Sequence, residues 1–163
     1  ATIKGFEPLY IQRIAQLTNK SNQFNLTTLR CSEDDIRAMA GDQNDLCLCG
    51  KLVDKFGDNG IVTVVAGRQQ GDVLDLTLWL MSCRVLKRGM EDAMMDTVVA
   101  EASARGVKTI VGHYYPTAKN AMVREFYAQY DFAKTAEDAD GNTEWTLDVA
   151  AYTPKHPHMK IER

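Results

Sequence analysis

The run Val73–Arg84, together with the stretch just after it, constrains this chain most tightly. Leu74, Leu76, Leu78 and Leu80 alternate with Asp75, Thr77, Trp79, Met81 and Cys83, the period of a strand that covers a core on one face. From Gly89 the period changes. Met90, Met94, Thr97 and Val98 recur at helical spacing, Ala93 and Ala102 widen the stripe, and Gly106 supplies a stop after Arg105. A second apolar run, Val107–Tyr115, comes at once. Strand, helix and strand in this order form a crossover, which places the two strands parallel in one sheet.

Other elements arrange themselves around that unit. Ala1–Phe6 reads as an opening strand, and Pro8 begins a helix whose Tyr10, Ile14 and Leu17 share one face. Thr18–Asn25 is a polar loop. Ser32 caps a short helix carrying Glu33, Asp34 and Asp35 in its first turn, with Ile36, Met39 and Ala40 inward and Gly41 at its end. Leu46–Phe56, a turn over Gly57–Gly60, Ile61–Gly67, a turn at Gln70-Gly71-Asp72 and Val73–Arg84 read as an antiparallel meander. After the crossover come a helix over Asn120–Asp131, with Val123, Phe126, Tyr127 and Tyr130 inward, and a hairpin of Phe132–Asp138 and Thr143–Val149 around Asp140-Gly141. The expectation is one domain over residues 1–150, α/β of the α+β type. It has a mixed sheet, about four helices and a polar tail over 151–163 that includes His156 and His158.

With 163 residues, 45% of them apolar and 25% charged, the chain can bury a core without staples. A net charge of −3 gives no footprint for nucleic acid. No apolar run approaches the ~20 residues that span a bilayer, and no signal peptide opens the sequence. Cys31, Cys47, Cys49 and Cys83 have neither redox Cys-x-x-Cys nor zinc spacing. They fit reduced thiols in the cytoplasm, and no metal is expected. The sequence opens as though already in a strand, which suggests a piece of a longer chain.

The order strand, two helices, meander, helix, strand, helix, hairpin is similar to the N-acetyltransferase (GNAT) fold. That resemblance implies that the parallel strands splay and open a cleft for a pantetheine arm. Gln16–Thr28, Phe56–Gly60, Leu80–Val85 and Pro116–Asn120 further resemble the C-terminal domain of FkbH-type proteins of the HAD-IIIC class, with the likeness running over about positions 7 to 149. It implies a preceding HAD phosphatase-like domain, an acyl carrier protein as partner, and an acyl or glyceryl group handled on a phosphopantetheine thiol.

The resemblance also marks candidate site residues. A GNAT pyrophosphate loop would fall on Arg84, Val85, Lys87, Arg88, Gly89 and Met90. With Gly89 as anchor, Leu86 and Glu91 depart from the Gln/Arg-x-x-Gly-x-Gly/Ala pattern, and a carboxylate at Glu91 competes with a bound pyrophosphate. This predicts weak or no binding of acetyl-coenzyme A, leaving phosphopantetheine as the other candidate cofactor. Asn120 followed by Tyr127 matches a GNAT pair in which the tyrosine protonates a leaving thiol; Tyr127 also reads as a core aromatic. Cys83 reads either as a buried thiol or as an acyl-accepting nucleophile beside Arg84, with His113 as its base. Asn22, Gln23 and Asn25 line the acceptor entrance or satisfy their own loop. Three functions compete: an acyltransferase on a carrier-bound thiol, a silent carrier-docking module, and an acetyl-coenzyme A N-acetyltransferase.

Overall fold

The computed structural model describes residues 2–54, 57–82 and 89–155. Seven strands form one mixed sheet: β1 (Thr2–Lys4), β2 (Asp45–Asp54), β3 (Gly57–Gln70), β4 (Val73–Met81), β5 (Thr109–Tyr114), β6 (Ala133–Glu137) and β7 (Thr143–Asp148). Their spatial order is β1-β2-β3-β4-β5-β7-β6. β2, β3 and β4 make the antiparallel meander, β4 and β5 are parallel, and the hairpin joins through β7. Residues 57–60, read from sequence as a turn, belong to β3, and two of them are paired: Asp54 opposes Gly57 and Val53 opposes Asp58, so the ladder satisfies their backbone.

Helices cover both faces. On one side α1 (Ile11–Lys20), entered through a 3-10 turn at Pro8–Tyr10, and α2 (Glu33–Gly41) bury Ile14, Leu17 and Ile36 against Val64, Leu78 and Leu80. The Ser32 hydroxyl accepts from Asp35 N while the Asp35 carboxylate accepts from Ser32 N, a reciprocal cap for α2. On the other side α3 (Met90–Ala104) packs Met90, Met94 and Val98 on the sheet. Gly50 lets it approach: a Cβ there would lie 2.2 Å from Met90 Cε and 2.7 Å from Thr63 Cγ2.

β4 departs from simple alternation. Leu76 opposes Gly67 and Leu78 opposes Ala66, so Thr77 is an extra residue and the strand shifts phase there. Leu74 and Leu76 consequently join Trp79 and Met81 in the α3 layer, while Leu78 and Leu80 face α1. The four leucines expected on one face are split between two, because a one-residue slip moves every later side chain across the sheet.

The segment read as a helix over Asn120–Asp131 is wound as 3-10 turns at Ala121–Val123 and Tyr127–Tyr130, with bonds such as Phe126 N to Val123 O and Gln129 N to Phe126 O. Closely spaced rings of Trp79, Phe126, Tyr127, Tyr130 and Phe132 pack it against the sheet. The Tyr127 ring lies on Gly112 of β5, where an added Cβ would come within 2.5 Å of the ring's hydroxyl end. The ring is held on several sides and cannot swing away. Gly112→Ala should therefore destabilise the domain by about 1–3 kcal/mol in urea unfolding, the cost of overpacking a filled core.

Candidate functional site

β4 and β5 pair only at Val73–Thr109, Leu74–Ile110 and Asp75–Val111, and splay beyond. The fold leaves edge backbone groups of both strands needing partners there, and the chain supplies them itself. Residues Phe24–Thr27, from the loop after α1, lie in the splay as a strap. Leu26 N donates to Trp79 O and Met81 N donates to Phe24 O, each at 3.0 Å, around an antiparallel bridge between Asn25 and Leu80. Thr27 Oγ1 donates to Thr77 O at 2.8 Å, and on the β5 side Tyr115 N donates to Leu26 O at 2.8 Å. The splay is thus bridged at Trp79–Met81 and Tyr115 by the chain's own backbone, because an unpaired buried ladder edge costs more than an ordered loop that pairs it.

Asn120 locks the strap. Fully buried, it donates from Nδ2 to Asn25 O and Tyr115 O, both at 3.0 Å, and its Oδ1 accepts from Thr117 N at 2.7 Å and from the Tyr114 hydroxyl at 3.3 Å. All its bonding positions are taken by the chain, which leaves none for a cofactor. Asn25 is likewise fully buried, donating to Ser21 O and accepting from Thr28 N. Asn22 and Gln23 do face a pocket, of about 680 Å³, between α1, the end of β4 and the loop after β5.

Two polar groups meet β5 from opposite faces. Tyr127 lies over Gly112 in the α3 layer, its hydroxyl held protonated by burial and then by the charge of Asp75, both of which raise its pKa. His113, the next residue on β5, points the other way. Its Nε2 lies 2.6 Å from Asp75 Oδ1, and its side chain is 19% exposed. Sequence reasoning gives Asp75 no role in the site, although a carboxylate inside an apolar strand run is the signal that could have found it. Trp79 Nε1, beside Tyr127, is a buried donor with no hydrogen-bond partner among the described residues.

The remaining candidates fall elsewhere. Cys83, Arg84, Val85, Lys87 and Arg88 lie outside the described residues, as do His156 and His158. Gly89 precedes α3 with φ +85°, in the left-handed region. Met90 is fully buried against the sheet, so its side chain faces no ligand. Beside it, a cavity of about 210 Å³ includes Glu91, Asp92, Phe24, Phe126 and Tyr130 in its lining, and Tyr130 donates to Asp92 Oδ1 at 2.7 Å. An anion entering there meets two carboxylates. No group of three or more metal-ligating side chains occurs among the described residues, and no described helix is long and apolar enough to cross a membrane.

These contacts lead to two measurements. Asn120→Asp should cost about 3 kcal/mol in urea unfolding, because a carboxylate has no donors for Asn25 O and Tyr115 O and places a charge against them. Among the thiols, burial pushes Cys47 up to about 12 and Cys49 up to about 11. Both should react with iodoacetamide at pH 7 distinctly more slowly than a free thiol, as read by peptide mapping after limited alkylation.

No protein-family model matches the chain, and no curated protein matches it in sequence. Solved structures do match. The ribosomal-protein-S18-alanine N-acetyltransferase from Escherichia coli superposes with a TM-score of 0.67 at 14% identity, over 96% of this chain and 98% of that one. Ard1 from Thermoplasma volcanium gives 0.70 at 16% identity, over 90% and 95%. An aminoglycoside 6'-N-acetyltransferase complexed with coenzyme A gives 0.64 at 12%, over 90% and 96%. At such identities the likeness is one of architecture, and it agrees with the strand order and the splayed parallel pair: the chain has the GNAT acetyltransferase fold.

Proposed function

We propose that this chain is an acyltransferase domain that moves an acyl or glyceryl group to or from the phosphopantetheine thiol of an acyl carrier protein. In this reading it works in the cytoplasm beside a HAD phosphatase-like domain of the FkbH type. The observation that carries transfer is the placement of Tyr127 and the Asp75–His113 pair on opposite faces of one stretch of β5. Asp75 holds the imidazole in place, and His113 takes the proton from an acceptor N–H, O–H or S–H. The acceptor then attacks the thioester carbonyl, the C–S bond breaks, and the departing sulfur takes a proton from the Tyr127 hydroxyl. Solvent returns one proton to Tyr127 and removes one from His113. The unpartnered Trp79 N–H suits an amide or acyl carbonyl of the arm.

The start of α3 favours a carrier-bound arm over coenzyme A. Glu91 and Asp92 oppose its pyrophosphate at the start of α3, whereas a carrier-bound arm brings a single phosphate. A second reading is a silent docking module, and the strap favours it, since Thr77 O, Trp79 O and Met81 N are already bonded within the chain.

Transfer from an acyl-loaded carrier protein, followed by intact-protein mass spectrometry, separates the two. Tyr127→Phe and His113→Gln should each lower the rate about 10²–10⁴-fold while leaving carrier binding intact. Binding without any transfer by the unaltered chain establishes the docking module instead.

A further inference from the structure

The pocket of about 680 Å³ carries a charge pattern of its own. Arg13 and Lys20 reach it from α1 and Lys119 from the loop after β5, with Asn22, Gln23 and Ser82 between them and no carboxylate among the described residues of its lining. None of the three cations is paired with a carboxylate among the described residues, whereas Lys4, Arg37, Arg68, Lys134 and Lys155 each are. In a chain of net charge −3, three cations around one concavity make a local positive field that attracts anions.

A fourth cation stands behind them. Arg30 donates to Thr18 O, to Ser21 O at 2.8 Å and to Asn22 Oδ1 at 2.7 Å, so its charge is met by carbonyl dipoles alone. This also fixes the Asn22 amide with its oxygen toward Arg30. The opposite, N–H end makes only a 3.5 Å contact to Lys20 O and remains a donor for something else.

We infer that this pocket binds a small phosphate monoester. Two lysines act as point charges and one arginine as a fork, which together suit one compact dianion with several acceptor oxygens. A planar carboxylate would need only the arginine. Concavity favours a small molecule over an extended surface. The inference is independent of the transfer reading, because binding here requires neither Tyr127 nor His113.

Titration calorimetry on the whole chain with inorganic phosphate, glycerol 3-phosphate and succinate is the test. Both phosphates should bind with Kd below about 1 mM at low salt, and succinate at least about tenfold more weakly. Lys20→Gln and Lys119→Gln, both at exposed positions, should each weaken phosphate binding about three- to fivefold and together multiply. Lys108→Gln, an exposed cation at the far end of β5, should leave it unchanged. Raising KCl to about 0.5 M should weaken binding through screening. Succinate binding as tight as phosphate, phosphate Kd above about 10 mM, or equal losses in Lys108→Gln and Lys119→Gln would each overturn the inference. Loss of transfer in Tyr127→Phe with phosphate affinity unchanged keeps the two proposals separate.

Discussion

The parallel ladder between β4 and β5 ends after Asp75 and Val111, and the candidate site is built around that ending. Past it, each strand turns backbone donors and acceptors toward a gap, and buried peptide groups must find partners. The strap Phe24–Thr27 supplies them to both strands, bonding Trp79, Met81 and Thr77 on one side and Tyr115 on the other. Asn120 then fastens the strap to the end of β5 with one amide group. The loop after α1, the splay and the turn after β5 are therefore one hydrogen-bonded unit. A change in any of them is felt by the other two.

The extra residue at Thr77 decides what faces the splay. By shifting the phase of β4 it sends Trp79 into the α3 layer, where it meets Tyr127, and leaves Asp75 on the far side within reach of His113. Without the bulge Trp79 would turn toward α1, and the α3 layer would lose the ring against which Phe126 and Tyr127 pack. The bulge thus decides that Trp79 meets Tyr127, while Asp75, which precedes it, stands beside His113 on the other face. Charge is divided in the same manner. Carboxylates gather at the start of α3, while cations gather at the end of α1 and in the loop after β5.

Much of the architecture was legible from period and punctuation. The change from period two to helical spacing at Gly89, with Gly106 as stop, is enough for a crossover and hence a parallel pair. Turn residues at Gly71 and Gly141 and the Ser32 cap mark element ends that the structure keeps. Less legible were the 3-10 winding after Asn120, where aromatic packing outweighs a helical pattern, and the paired backbone of Gly57 and Asp58. The polar stretch Thr18–Asn25 read as a loop too polar for the core. Its last residues are buried, because their backbone completes a sheet edge formed by residues more than fifty positions away.

The sequence by itself determined the elements, their order and the parallel relation of β4 and β5, because those depend on local periodicity and on the handed geometry of a crossover. Tertiary structure alone decided which face Trp79 takes, that Asn120 spends its amide on the fold, that Asp75 stands beside His113, and that Arg13, Lys20 and Lys119 share one pocket. Each of these depends on a register shift or on a contact between residues far apart in the chain, and neither leaves a periodic trace in the residues themselves.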